Sequence, residues 1–191
     1  TEQKRRVVVV GAGPAGMLAA CRAAEKVSGA ELRIKWVNDL YYEGHKVCGI
    51  LSEGQTSMES GRMEFVIVGI GINLYEPEEG FPEDIREKAG SILGKRSEGK
   101  IVDRNRIAAE LIQEFYALAP EKTLAQEYID HNMVPGHDIM IIDGKTQRPA
   151  RATGIRPDGT LEIVEQDGSE GTLVFGEVSV RLRDGDQIVY K

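Results

Sequence analysis

Cysteine is scarce in this chain: Cys21 and Cys48 are the only two in 191 residues. Two thiols cannot build a disulfide scaffold, and they show no metal-type spacing. The three histidines, His45, His131 and His137, stand isolated in sequence, so no zinc site and no other metal site is expected. Positive charge is also short. Lysine and arginine number 24 against 31 acidic residues, a net charge of -7, which excludes a domain-wide basic field and with it a dominant nucleic-acid role. No apolar run approaches the roughly 20 residues that a membrane span needs. Thr1 to Arg6 is polar and basic and leads directly into an apolar strand, which does not read as a signal segment. The expectation is a cytoplasmic, reduced protein without a membrane partner.

What is present is ordinary for a globular chain: 41% hydrophobic and 29% charged residues. The length suits one domain of usual size plus a small one. Val7 to Val10 is a run of β-branched residues that favours a buried strand. Gly11-Ala12-Gly13-Pro14-Ala15-Gly16 follows, then an alanine-rich helical stretch from Met17 to Val27, stopped at Ser28-Gly29. Glycines in this pattern let backbone N–H groups approach a pyrophosphate at a helix N-terminus. The segment resembles the opening of flavin- and nicotinamide-dependent oxidoreductases, which would make Gly11, Gly13 and Gly16 a site for FAD or NAD(P). The alternative is a strand and helix that pack without a ligand. The later chain lacks the repeated strand–helix alternation of a doubly wound sheet.

From Leu32 the pattern changes. Leu32 to Val37 alternates apolar and polar residues as a strand does, and Asn38-Asp39 is a turn pair. Tyr41 to Lys46 reads as a hairpin turn, Val47 to Leu51 as a strand, Glu53 to Arg62 as a polar loop, and Glu64 to Ile72 as a strand thinned by Gly69 and Gly71. Together these predict an antiparallel meander. Pro82-Glu83-Asp84 predicts the start of a helix running over Ile85 to Leu93. Asp103 predicts the cap of another, with Ile107, Leu111, Ile112 and Phe115 at helical spacing, and Leu124 to Ile129 a third. Beyond Val134 come short strands separated by Asp143-Gly144, Asp158-Gly159, Asp167-Gly168 and Asp184-Gly185, the signature of a small antiparallel barrel.

Three ordered blocks carry a second resemblance. Lys35-Trp36-Val37-Asn38-Asp39, Lys46-Val47-Cys48-Gly49-Ile50-Leu51-Ser52-Glu53 and Val68-Gly69-Ile70-Gly71-Ile72-Asn73 resemble the central sheet of biotin-protein ligases. Val37 stands where that family has proline. Ala20 to Gly29 resembles the helix before the family's lysine. Ala152 to Gly159 and Gly176 to Arg181 resemble its C-terminal SH3-like domain, with Phe175 where serine is usual. The family's glycine-arginine-rich biotin and phosphate loop has no match.

The resemblance implies an α+β fold: a mixed, mainly antiparallel sheet flanked by helices, with a small C-terminal SH3-like barrel. It divides the chain into a ligase-like catalytic part, 1–133, with the dinucleotide-type fingerprint in 1–29, and a barrel, 134–191. It implies a two-step reaction in which biotin and ATP, with Mg2+, give biotinyl-adenylate, and a lysine of a biotin carboxyl carrier domain of a carboxylase then takes the biotinyl group. By position in the motifs, Lys35 would be the catalytic residue and would contact the biotin carboxylate and adenylate together with Asn38, Asp39, Gly49 and Ile50. Lys46, Gly69, Gly71 and Asn73 would hold ATP. Arg181 and Glu177 would join the barrel to the catalytic part. The resemblance allows a homodimer. Without the arginine loop, part of the charge stabilisation that adenylation needs is missing, so the implied site is incomplete. A non-catalytic interaction domain is the remaining alternative.

Overall fold

The computed structural model describes residues 12–97, 101–118, 123–174, 179–184 and 187–188. The expected Val7–Val10 strand, Gly11, Phe175 and Glu177 lie outside them. Helix α1 spans Ala12–Ser28. Its alanine-rich composition allows close approach, and Met17, Leu18, Ala19, Ala20, Cys21, Ala23 and Ala24 are all buried. Gly29 ends it with φ 81°, a left-handed conformation that costs glycine nothing.

Four strands follow: β1 (Arg33–Lys35), β2 (Asp39–Tyr42), β3 (His45–Thr56) and β4 (Met63–Ile72). They form one sheet in the order β1-β2-β3-β4, with every neighbouring pair antiparallel. The meander is therefore as the sequence pattern indicates, with three shifts. The strand expected over Leu32 to Val37 ends at Lys35, Trp36 to Asn38 make the turn, and Asp39 already belongs to β2. Tyr41 and Tyr42 are strand residues, and the hairpin turn narrows to Glu43-Gly44. Glu53 to Thr56, expected as loop, continue β3 because Ile67, Val66, Phe65 and Met63 of β4 stand opposite them in the ladder.

The helix expected over Ile85 to Leu93 is absent; the segment is a series of turns. Its backbone is drawn to the start of β3 instead: Lys46 N donates to Lys88 O at 2.7 Å and Gly90 N donates to Lys46 O at 2.9 Å. Gly90 sits so near His45 that an added Cβ would lie 2.6 Å from the His45 Cβ, closer than a side chain tolerates. Helix α2 (Arg104–Leu118) begins where expected, with Asp103 Oδ1 accepting from Asn105 N at 2.9 Å. Helix α3 is Gln126–Asp130.

The rest is a second antiparallel sheet of β5 (Asp138–Asp143), β6 (Thr146–Ile155), β7 (Leu161–Glu165), β8 (Glu170–Leu173), β9 (Ser179–Asp184) and β10 (Gln187–Ile188). Its order is β10-β9-β5-β6-β7-β8, and no pairing between β10 and β8 closes it among the described residues. The architecture is α+β. One continuous core links α1, the first sheet and the second: Trp36, Tyr128, Val134, Ile139 and Leu161 belong to the same buried cluster as Met17 and Leu40. Trp36, as its indole predicts, packs in this core. Its Nε1 donates to Gly159 O at 2.9 Å, which satisfies the one polar atom of the ring.

Candidate functional site

Side chains alternate across a strand, so residues two apart share a face. In the first sheet one set is Ile34, Leu40, Cys48, Ile50 and Ile70. Helix α1 covers this face: a Cβ at Gly16 would lie 3.4 Å from both Ile50 Cδ1 and Val68 Cγ1. The other set contains Lys35, Asp39, Gly49 and Gly71. Their Cα partners run in one line across all four strands, Lys35↔Asp39, Asp39↔Gly49 and Gly49↔Gly71. Leu51↔Gly69 is the next step along. The sheet thus gathers most of the residues that the sequence marked on the face opposite α1, its open face, over which no described helix packs.

Lys35 is half-buried at the end of β1. Its Nζ lies 5.5 Å from the centroid of the Tyr41 ring, a cation–π distance. Burial lowers its pKa from the usual lysine value, and the nearby charges of Lys46 and Arg181 lower it further, against the opposing carboxylate of Asp39. Lys46 Nζ is 2.5 Å from Asp39 Oδ1. Gly49 leaves room for that pair: a Cβ there would crowd the Lys46 Cε and Nζ at 3.3 Å. Lys46 pairs with Asp39, and the charges of Asp39, Lys46 and Arg181 all act on Lys35, so three cations share the neighbourhood of one carboxylate. A cluster with surplus positive charge and partial desolvation is chemically suited to hold an anion such as a carboxylate or phosphate.

Asn38 contributes backbone, its carbonyl accepting from Ile50 N at 2.9 Å. Ile50 itself is 6% exposed and faces α1, so its side chain belongs to the core and not to the open face. Gly69 and Gly71 are exposed. Asn73 lies just past β4, where its N donates to Val47 O at 2.7 Å and its Nδ2 to Gly90 O at 3.1 Å. Its amide group therefore braces the turn segment that replaces the expected helix. That segment helps line a cavity of about 510 Å3 with Tyr42, His45, Glu76, Arg86 and Lys95.

The dinucleotide fingerprint is placed differently from its sequence reading. Gly13 lies inside α1, and Gly16 is buried against Ile50, Val68 and Phe115. The space at Gly16 is filled by side chains, and the sheet beneath the helix is antiparallel rather than the parallel sheet of a dinucleotide fold. Gly16 serves packing. Two members of the open-face cluster were not assigned to it from the sequence. Tyr41 was read as turn, and Arg181 was read as a link between domains, although it approaches Lys35 closely enough to depress its pKa.

Residues 3–73 match the model of the "Biotin/lipoate A/B protein ligase family". The chain is 31% identical over 163 residues to "Bifunctional ligase/repressor BirA" of Bacillus spizizenii, covering 79% of this chain and 47% of that protein. It is 30% identical over 169 residues to the protein of the same name from Escherichia coli, covering 82% and 48%. It thus spans about half the length of the curated relatives it matches. In fold it is similar to the biotin protein ligase of Aquifex aeolicus, with a TM-score of 0.73 at 21% identity over 92% of this chain and 76% of that one. A structure of the same Aquifex protein in complex with biotin and ATP gives 0.72 at 22% identity, over 91% and 72%. The three sequence blocks, the helix-backed antiparallel sheet that presents them, and these relatives agree: residues 3–73 match the biotin/lipoate A/B protein ligase family, and the chain is similar in sequence and fold to biotin protein ligases over most of its length.

Proposed function

We propose that the open face of the first sheet is a biotin and ATP site, and that the activity it serves is ATP-dependent formation of biotinyl-adenylate followed by transfer to a lysine of a biotin carboxyl carrier domain. The single observation that carries this reading is the row Lys35–Asp39–Gly49–Gly71, with Lys46 and Arg181 reaching toward it. Lys35 supplies the positive charge nearest the reacting carboxylate and phosphate. Asp39 and Tyr41 hold Lys35 and Lys46 in place. Gly49, Gly69 and Gly71 let a flat ligand rest against the backbone, because no Cβ stands in the way. Mg2+ accompanies ATP as part of the substrate, and Asn73, just past the end of β4, would contact the ATP phosphates.

Adenylation turns a carboxylate, which is a poor acyl donor, into a mixed anhydride with a good leaving group. The carboxylate oxygen attacks the α-phosphorus and pyrophosphate leaves. The carrier amine then attacks the acyl carbon and AMP leaves. Both steps build negative charge that fixed cations stabilise. The glycine-arginine loop without a match in this chain would face the Lys35 side, so these residues form one half of the charge clamp. In the same reading residues 1–133 are the catalytic part, and 134–191 form an SH3-like barrel whose Arg181 completes the site.

The test is incubation of the chain with biotin, ATP and magnesium, followed by mass detection of biotinyl-adenylate. The expected result is adenylate with the native chain and none with Lys35→Ala. Absence of adenylate, together with no rise in melting temperature on adding biotin, overturns the proposal.

A further inference from the structure

Away from the open face, the fold gathers three side chains that sequence spacing kept apart. Cys21 and Glu25 are one helical turn apart on α1, so they share a face. His131 caps the C-terminal end of α3. The Cys21 sulfur, a Glu25 carboxylate oxygen and a His131 ring nitrogen all lie within 4.8 Å of one another. Cys21 is fully buried, while Glu25 and His131 are half-buried.

Each group is already aimed. Glu127 O lies 2.9 Å from His131 Nδ1. As an acceptor it fixes the proton there and leaves the Nε2 lone pair free, the arrangement typical of a metal-binding histidine. Glu25 Oε1 accepts from Leu32 N at 2.8 Å, which anchors the carboxylate beside the Cys21 thiol, its hydrogen-bond partner. The neighbouring cation, Arg22, is occupied by Glu127 and Glu114, so it does not neutralise Glu25.

We infer that Cys21, Glu25 and His131 form a site for a borderline-soft divalent cation, of which zinc is the natural occupant. One sulfur, one nitrogen and one oxygen ligand suit zinc and leave a fourth position for water. Bonds of about 2.0–2.3 Å to a tetrahedral ion put donors roughly 3.3–3.8 Å apart, so modest side-chain rotation closes the site. The thiol proton leaves to solvent as the metal binds. The ion would clip α1 to the end of α3, on the covered side of the sheet and independent of the biotin and ATP site.

Cobalt(II) titration of the full chain tests this directly. The expected result is one equivalent bound with a thiolate-to-cobalt charge-transfer band, abolished in Cys21→Ser and in His131→Ala and retained in Cys48→Ser. Zinc at roughly a hundredfold excess over its Kd should raise the melting temperature of the native chain by about 5–10 °C, with no rise for His131→Ala. Absence of the band from the native chain overturns the inference, as does a band that persists in Cys21→Ser or disappears only in Cys48→Ser. If Cys21→Ser does not fold, His131→Ala and Glu25→Gln decide alone, and an unchanged band in both overturns it.

Discussion

Ile34, Leu40, Cys48 and Ile50 alternate along the first three strands with Lys35, Asp39 and Gly49, so the same segments feed two unlike faces. The covered face is apolar and filled by α1, with Leu40 and Ile34 fully buried. Burial on that face even pushes the Cys48 thiol pKa up to about 12. The open face carries charge and glycine, and its exposed Leu51, Phe65 and Ile67 lie farther along the same side of the hairpin. Stability and chemistry are therefore separable here by residue parity: one position along the strand moves a change from the core to the site.

The largest effect on stability should come from the covered face. Leu40→Ala should cost about 2–5 kcal/mol in urea denaturation, and a loss under ~1 kcal/mol would mean that α1 does not seal this face. Lys35→Ala, one face over, should behave in the opposite way. It should weaken anion binding by roughly tenfold or more, the worth of a charge-assisted hydrogen bond, while leaving stability unchanged or slightly raised, because a half-buried cation is removed. A parallel fall in stability and affinity would break the separation of the faces.

Much of this was legible beforehand because alternation is a local signal. The strand blocks, the Asp103 cap and the turns at Asp143-Gly144, Asp158-Gly159 and Asp167-Gly168 all depend on residues within a few positions of one another; the Asp184-Gly185 turn lies outside the described residues. The misplaced parts depended on distant partners. The Ile85 to Leu93 segment has helical composition, yet its carbonyl and amide groups find better partners on Lys46. Glu53 to Thr56 is polar enough for a loop, yet β4 holds it as strand. The Lys35 row needed the register to appear as a row, although its members could be named from motif. Arg181 came to Lys35 only through packing of the two sheets, and the Cys21, Glu25 and His131 cluster only through the docking of α3 on α1.

Two smaller effects sharpen the comparison. The pKa of Lys35 is depressed, so the unfolded chain holds more protons between the lowered value and the ordinary lysine value. Stability of the ligand-free protein should accordingly rise with pH through that window. Anion binding needs the protonated lysine and should fall through the same window; Lys35→Arg should keep binding flat there. A pH profile of binding indistinguishable between the two would remove Lys35 from the site. Leu51→Ser marks the lower limit. This residue is 64% exposed on the open face, and the change should shift stability by less than about 0.5 kcal/mol in the same urea experiment.

Calorimetric titration of biotinyl-adenylate into the native chain and into Lys35→Ala tests the central claim most directly, because it reads the open face without requiring turnover. The account predicts saturable binding to the native chain and at least a roughly tenfold weaker affinity for the variant, with both proteins equally folded. Equal affinity in the two, or no binding to a folded native chain, would contradict it.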